Sequence, residues 1–338
     1  MKFYSTMSPT QFSINQKAET LLNQIKSKQD VLGFTIETLS SGAKLYDFTN
    51  ANLEGSLYLS RVLMSDLSSI QLAPVKAIIN ANSGPIELDF IEVETQYPLL
   101  ACMASQYAGW TVKAKKMVDG KNKTYFRAMG SGPARALARV ENELFDFIGY
   151  TESHHSAVLF LETSQKPDEG VVEYVSKKSG VDPSNLHLLY APSTSLAGSV
   201  QIAARVVETA LHKFMELGIN LKWIVSACGT CPIAPVKNDE MKAMGVTNDC
   251  ILFTGNVTLS MDIPDGKESD FFKLFKKAPS SASPSYGKPF YSILSDVAGD
   301  FYKIDNGLFA PAQITIINRT TGNIYTEGSL NPEKLDFS

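Results

Sequence analysis

A chain of 338 residues is long enough for two domains of about 150 residues each. Its 44% hydrophobic and 20% charged residues exclude both intrinsic disorder and a long solvated coiled coil. Thirty-one Lys and Arg against thirty-five Asp and Glu give a net charge of −4 with no run of like charges, which argues against nucleic acid as a partner. The opening residues MKFYSTMSPTQFSIN lack the apolar run of a secretory signal, and no stretch reaches 18 uninterrupted apolar residues. A cytoplasmic protein with no membrane partner is therefore expected.

In chain order, Ile14, Ala18, Leu21, Leu22 and Ile25 fall at helical spacing and predict an amphipathic helix. FTIETL and AKLYDF flank Ser41-Gly42 and read as a β-hairpin. Alternation over 86–95 (IELDFIEVET) predicts one half-buried strand that ends before Pro98. Next come strand AVLFLE, a helix over 169–178, strand LHLLYAP, a helix over 200–217 and strand WIVSAC, the order of an α/β unit. The tail returns to strands in CILFTGNVTLSM and FAPAQITIIN, with a turn at Thr321-Gly322 leading into IYTEG. Segment 277–289, rich in Ser, Pro and Ala, reads as a linker or exposed loop. The fold class expected is α+β, with two α/β-type domains, mixed sheets and a ligand cleft between them. One domain is assigned to 1–95 plus 285–338, the other to 96–284.

Three features carry candidate chemistry. Cys228-Gly-Thr-Cys231 is a lone CxxC, but a zinc site needs two more ligands. Cys102 and Cys250 are unpaired in sequence, and His154, His155, His187 and His212 show no zinc-ligand spacing to any Cys. Packing thiols and no metal are the reading. In FRAMGSGPARALA, Gly130-Ser131-Gly132 precedes Pro133, where a helix can begin, and both a sharp turn and an anion- or ligand-binding loop fit. Arg135 stands where a dinucleotide fingerprint needs its third glycine, and no Lys-Ser/Thr follows as in a P-loop. Finally, Gln201, Arg205, Glu208 and His212 recur at spacings of four, three and four and share one helix face. A solvated stripe with an ion pair worth ~0.3 kcal/mol is one reading. The other is a cleft-facing stripe, since the helix follows a strand and ligands of α/β sheets bind beyond the carboxyl ends of strands.

The blocks FRAMGSGPARALA, SGVDPSNLHLLYAPSTSLAGSVQIAARVVETALHK, PIAPVKNDEMKAMGVTNDCILF, YGKPF and FYKIDNGLFAPA resemble, in the same order, those of methenyltetrahydromethanopterin cyclohydrolases. The resemblance implies an enzyme of one-carbon metabolism that interconverts the methenyl and formyl forms of tetrahydromethanopterin by adding water. It implies no metal or other cofactor, a small-molecule pterin partner, a homotrimer, and two α+β domains with the pterin between them. The family's functional Arg and Glu match Arg205 and Glu208, giving Glu208 as general base and acid with Arg205 orienting it. Gly130, Ser131, Gly132, Ser195, Gln201, Asp249 and Lys288 are the expected substrate-binding residues.

The chain also departs from that pattern. ACGTCPIAP stands for TGTAPIAP, Glu54-Gly55 and Ser65-Asp66 stand where paired glycines are expected, and 111–125 reads as a longer, Lys-rich connection. These departures motivate a second reading, a catalytically inactive pterin-binding relative with a regulatory or assembly role.

Overall fold

The computed structural model describes residues 12–74, 76–299 and 303–338. Residues 1–11, on which the reading of the N-terminus largely rests, lie outside the described residues, as do Phe301 and Tyr302 of the FYKIDNGLFAPA block.

The strands are β1 (Thr35–Thr38), β2 (Lys44–Asp47), β3 (Ser69–Leu72), β4 (Ala77–Ala81), β5 (Gly84–Leu88), β6 (Phe90–Thr95) and β7 (Trp110–Val118). Then follow β8 (Lys121–Ser131), β9 (Ala157–Glu162), β10 (Leu186–Ala191), β11 (Ile224–Pro232), β12 (Asn256–Met261), β13 (Gln313–Asn318) and β14 (Ile324–Gly328). The helices are α1 (Ile14–Ile25), α2 (Gln29–Leu32), α3 (Leu53–Leu63), α4 (Ala134–Ala138), α5 (Asn142–Ile148) and α6 (Glu169–Ser179). After them come α7 (Leu196–Ala203), α8 (Val206–Glu216), α9 (Glu240–Thr254), α10 (Glu268–Phe275) and α11 (Phe290–Asp296).

Two mixed six-stranded sheets make this an α+β protein. The first runs β1-β2-β10-β9-β8-β7 and the second β14-β13-β12-β11-β6-β3, with β4-β5 as a separate ribbon. In the first sheet β2, β10 and β9 are parallel. Strands β9 and β10 are buried on both faces, which is why AVLFLE and LHLLYA are mostly apolar, interrupted by His187 and closed by Glu162, rather than alternating. Val158 and Phe160 pack with Leu21, Leu22 and Phe34 on one side, while Leu159 and Leu161 pack with Val112, Phe126 and Val171 on the other. Helix α1 thus covers one face and α6 the opposite one. Ser13 starts α1 by accepting from the Gln16 N–H at 2.9 Å.

The structure corrects several element boundaries. The 86–95 strand is two, parted at Asp89, where the chain leaves the β4-β5 ribbon and enters the second sheet. The 250–254 part of CILFTGNVTLSM ends α9 rather than opening a strand. The Lys-rich 111–125 stretch is the outer part of the β7-β8 hairpin, turning at Asp119 and Gly120, both at positive φ. Within 277–289, Ala278, Pro279, Ser280 and Ser283 are buried.

Two departures from the family pattern now have a geometry. Gly55 lies in α3, where an added Cβ would come 2.2 Å from the Leu32 carbonyl oxygen, so a glycine is required there. Ser65 and Asp66 adopt φ of 55° and 51°, left-handed backbone that glycine adopts without penalty. Compensating contacts hold them: Ser65 Oγ meets Ser105 Oγ at 2.6 Å and Asp66 takes a 2.6 Å ion pair from Arg61.

Candidate active site

The expected helix over 200–217 is in fact two, and the break falls on the residues of interest. Ala204 and Arg205 have ψ near zero, the Arg205 N–H reverts to the Ile202 carbonyl, and α8 restarts at Val206. Arg205 therefore sits at the N-cap of α8 and Glu208 in its first turn. A helix N-terminus favours the Glu208 carboxylate and disfavours a cation, so the guanidinium is held there by other contacts. Its Nε donates to Gln201 Oε1 at 3.1 Å, Nη1 to the Gln106 carbonyl at 2.9 Å and Nη2 to Ser131 Oγ at 3.0 Å. Nη1 also stands 3.6 Å from Glu208 Oε2.

Support comes from a π-helical segment, Leu99–Gln106, of the kind that often marks functional sites. Its last carbonyls, those of Met103, Ala104 and Ser105, accept from the fully buried Arg135 guanidinium, a cation at a helix C-terminus. Arg135 is tied in turn to Glu141 at 2.9 Å. The segment's final residue, Gln106, receives Arg205 and Ser131 on its carbonyl and donates from its side chain to the Ala204 carbonyl.

Arg205 and Glu208 open onto a pocket of about 300 Å³ at the carboxyl end of β9. Glu141, Glu162, Glu208 and Glu216 give it four carboxylates, while Tyr107, Met129, Ile202, Met244 and Phe309 supply apolar wall. Glu208 is 5% exposed, and burial pushes its carboxyl pKa above the ordinary value against the opposing pull of Arg205, His212 and Arg135. Tyr107 stacks on His212 at 5.5 Å, and burial, reinforced by Glu208, raises its phenol to about 12.

Of the expected residues, Arg205, Glu208 and His212 line the pocket, and Gln201 and Ser131 stand behind Arg205 as its hydrogen-bond partners. Gly130 and Gly132 lie deeper. Gly130 packs on Trp110 and Gly132, at φ 115°, lies against the Val158 carbonyl, so the loop brings backbones together beside Ser131. Ser195 caps α7 by accepting from the Gly198 N–H at 3.0 Å. Lys288 is exposed and outside the pocket lining.

Asp249 is 4% exposed, accepts from the Phe290 N–H at 2.9 Å, and is raised by burial to about 7 from 3.8. An acid raised in this way destabilises the fold progressively as pH climbs from its ordinary value through the raised one, and the penalty is complete above that. Asp249→Asn keeps an acceptor for Phe290 without the charge. Its melting temperature is expected to exceed the parent's by roughly 5 °C or more at pH 8 and by much less at pH 5, as scanning calorimetry would read.

Sequence reasoning missed Glu162, Glu141, Gln106 and Tyr107. Glu162 carried a usable signal as the single charge closing an apolar strand. It accepts from Gln201 Nε2 at 3.1 Å and from Ser193 Oγ at 3.0 Å. Residues three apart on β11 face opposite ways: Cys231 is buried, as a packing thiol is expected to be, whereas Cys228 is exposed, which corrects the packing reading for that residue. All four cysteines are free; burial raises the thiols of Cys102, Cys231 and Cys250, and partial desolvation together with Glu94 raises that of Cys228.

A buried carboxylate beside an immobilised guanidinium, in a pocket at strand ends of an α+β fold, is an arrangement able to accept and return a proton. Residues 13–338 match the family model described as Cyclohydrolase (MCH). The chain is 38% identical over 324 residues to the methenyltetrahydromethanopterin cyclohydrolase of Methanococcoides burtonii, covering 95% of this chain and 96% of that one. It is 37% identical to the enzyme of that name from Methanosarcina barkeri over 96% and 97% of the two chains. The Methanocaldococcus jannaschii enzyme is 38% identical over 96% and 98%. The chain belongs to the cyclohydrolase (MCH) family.

Proposed function

We propose that this chain is a methenyltetrahydromethanopterin cyclohydrolase in which Glu208 is the general base and acid and Arg205 its orienting cation. The observation that carries this is the buried Glu208 carboxylate 3.6 Å from a guanidinium fixed by three other hydrogen bonds, facing a pocket of about 300 Å³. The methenyl group is amidinium-like, so its bridging carbon is electrophilic without a metal. Glu208 takes a proton from water as the oxygen bonds to that carbon, a contribution typically worth ~10²- to 10⁴-fold. The hydroxyl adduct then loses its O–H proton as the C–N bond breaks and the leaving nitrogen takes the proton held by Glu208, so one proton is released overall. Microscopic reversibility makes protonated Glu208 the acid for ring closure. A raised carboxyl pKa suits a group that serves both ways.

The acidic lining supports the same reading, because Glu141, Glu162 and Glu216 attract the cationic methenyl form more than the neutral formyl form. The cleft between two domains, the homotrimer and the cytoplasmic setting implied by the resemblance belong to this proposal. No helix among the described residues is long and apolar enough to cross a membrane.

The test is incubation of the purified chain with methenyltetrahydromethanopterin while its near-ultraviolet chromophore is followed. Hydrolysis at a rate well above buffer, unchanged by a chelator at moderate temperature, is expected. Tight binding with no acceleration over buffer would reject the enzymatic reading in favour of a pterin-binding relative.

A further inference from the structure

Three of the four histidines converge on one carboxylate at the amino-terminal end of β9 and β10, the far end of these strands from the pocket. Glu19 on α1 lies with His154 and His155, from the chain leading into β9, so that their ligand atoms are all within 4.8 Å of one another. Glu19 Oε2 is 3.0 Å from His154 Nε2, and Glu19 Oε1 is 3.4 Å from Nε2 of His187, the second residue of β10. His187 is 1% exposed, and its Nε2 has no hydrogen-bond partner of good geometry among the described residues although it faces that carboxylate. Its other ring nitrogen meets the Tyr46 hydroxyl at 2.9 Å.

Hydrogen bonding alone explains this arrangement poorly, since the fully buried imidazole nitrogen reaches the carboxylate oxygen only at 3.4 Å and without good hydrogen-bond geometry. A cation explains it. With Nδ1–H donating to the Tyr46 oxygen, the Nε2 lone pair is left to a metal, the usual way a neighbouring acceptor fixes a histidine ligand. Neighbouring donors of a tetrahedral zinc, at bonds of about 2.1 Å, lie about 3.4 Å apart, as Glu19 already does from His154 and His187; His187 falls outside the set of atoms mutually within 4.8 Å, so the side chains must close up on the ion.

We propose that Glu19, His154, His155 and His187 form a binding site for a zinc-class divalent cation that pins α1 to the first sheet, remote from the reaction. Imidazole nitrogens with one carboxylate oxygen select zinc and its neighbours over magnesium or calcium. The ligands come from three separate segments, so no short spacing in the sequence announces them.

The experiment uses the intact chain dialysed against a chelator and then titrated with Co²⁺ or Zn²⁺. One equivalent of Co²⁺ is expected to give visible absorption of tetrahedral type that Zn²⁺ displaces, and Zn²⁺ is expected to raise the melting temperature. His155→Ala removes an exposed side chain and leaves the core intact. It and Glu19→Gln are each expected to weaken binding at least about tenfold and to abolish the thermal shift. His212→Ala should bind as the parent does. Absence of both absorption and thermal shift in the parent overturns the proposal. So does a signal that survives in His155→Ala and Glu19→Gln, or one lost in His212→Ala, which would place the ion on the His212–Glu216 pair.

Discussion

Glu208→Gln is expected to lower turnover of methenyltetrahydromethanopterin by ~10²-fold or more while pterin binding falls far less. Glutamine keeps the size and hydrogen bonding of the side chain but cannot accept a proton. The loss should therefore appear in kcat rather than in KM. Hydration requires the ionised carboxylate, so the parent rate should decline as pH falls through the raised Glu208 pKa, and the variant should lack that acidic limb. Stability runs the other way. A buried acid with a raised pKa costs the fold most above that pKa, so replacing it by a neutral group should leave the melting temperature at neutral pH equal or higher. A variant that is both slow and less stable would mean that Glu208 is chiefly a structural partner of Arg205. Near-normal turnover would return the pair to an ordinary ion pair.

Local pattern was enough to read α1, the first hairpin, and β9 through β10, because each buries a face whose period is written in adjacent residues. It failed at Ala204 and Arg205. The apolar spacing runs unbroken across 200–217, and what interrupts the helix is tertiary: Gln106 and Ser131, 99 and 74 residues away, hold the guanidinium. The 4-3-4 stripe nevertheless holds in space, since Gln201, Arg205 and Glu208 remain in contact across the break. Glu141 was invisible, and Glu162 legible only as the charge closing a strand, for a related reason. A carboxylate gains its role from the cavity it faces, and here the cavity wall is assembled from segments between Tyr107 and Phe309. The histidine cluster repeats the lesson, because the parallel pairing of β9 and β10, with His187 opposite Val158, and not distance along the chain, brings His187 near the stretch before β9 that holds His154 and His155.

Arg205→Ala is expected to cost turnover as heavily as the loss of Glu208, and the double variant Arg205→Ala/Glu208→Gln should cost much less than the product of the two singles. Arg205 is anchored at three points before it reaches Glu208, so its contribution is a fixed charge at a fixed distance. Its field lowers the Glu208 pKa against burial. Removing it should shift the acidic limb of the pH–rate profile to higher pH, a readout that a merely structural arginine would not move. Arg205→Lys keeps the charge but loses the fork that bonds Gln201, Gln106 and Ser131 simultaneously, so it should retain most of the original limb position while recovering only part of the rate. If the double variant's loss equals the product of the singles, the two residues act independently. Arg205 would then contact the substrate in its own right, and Glu208 would owe its poise to burial and the α8 N-terminus instead.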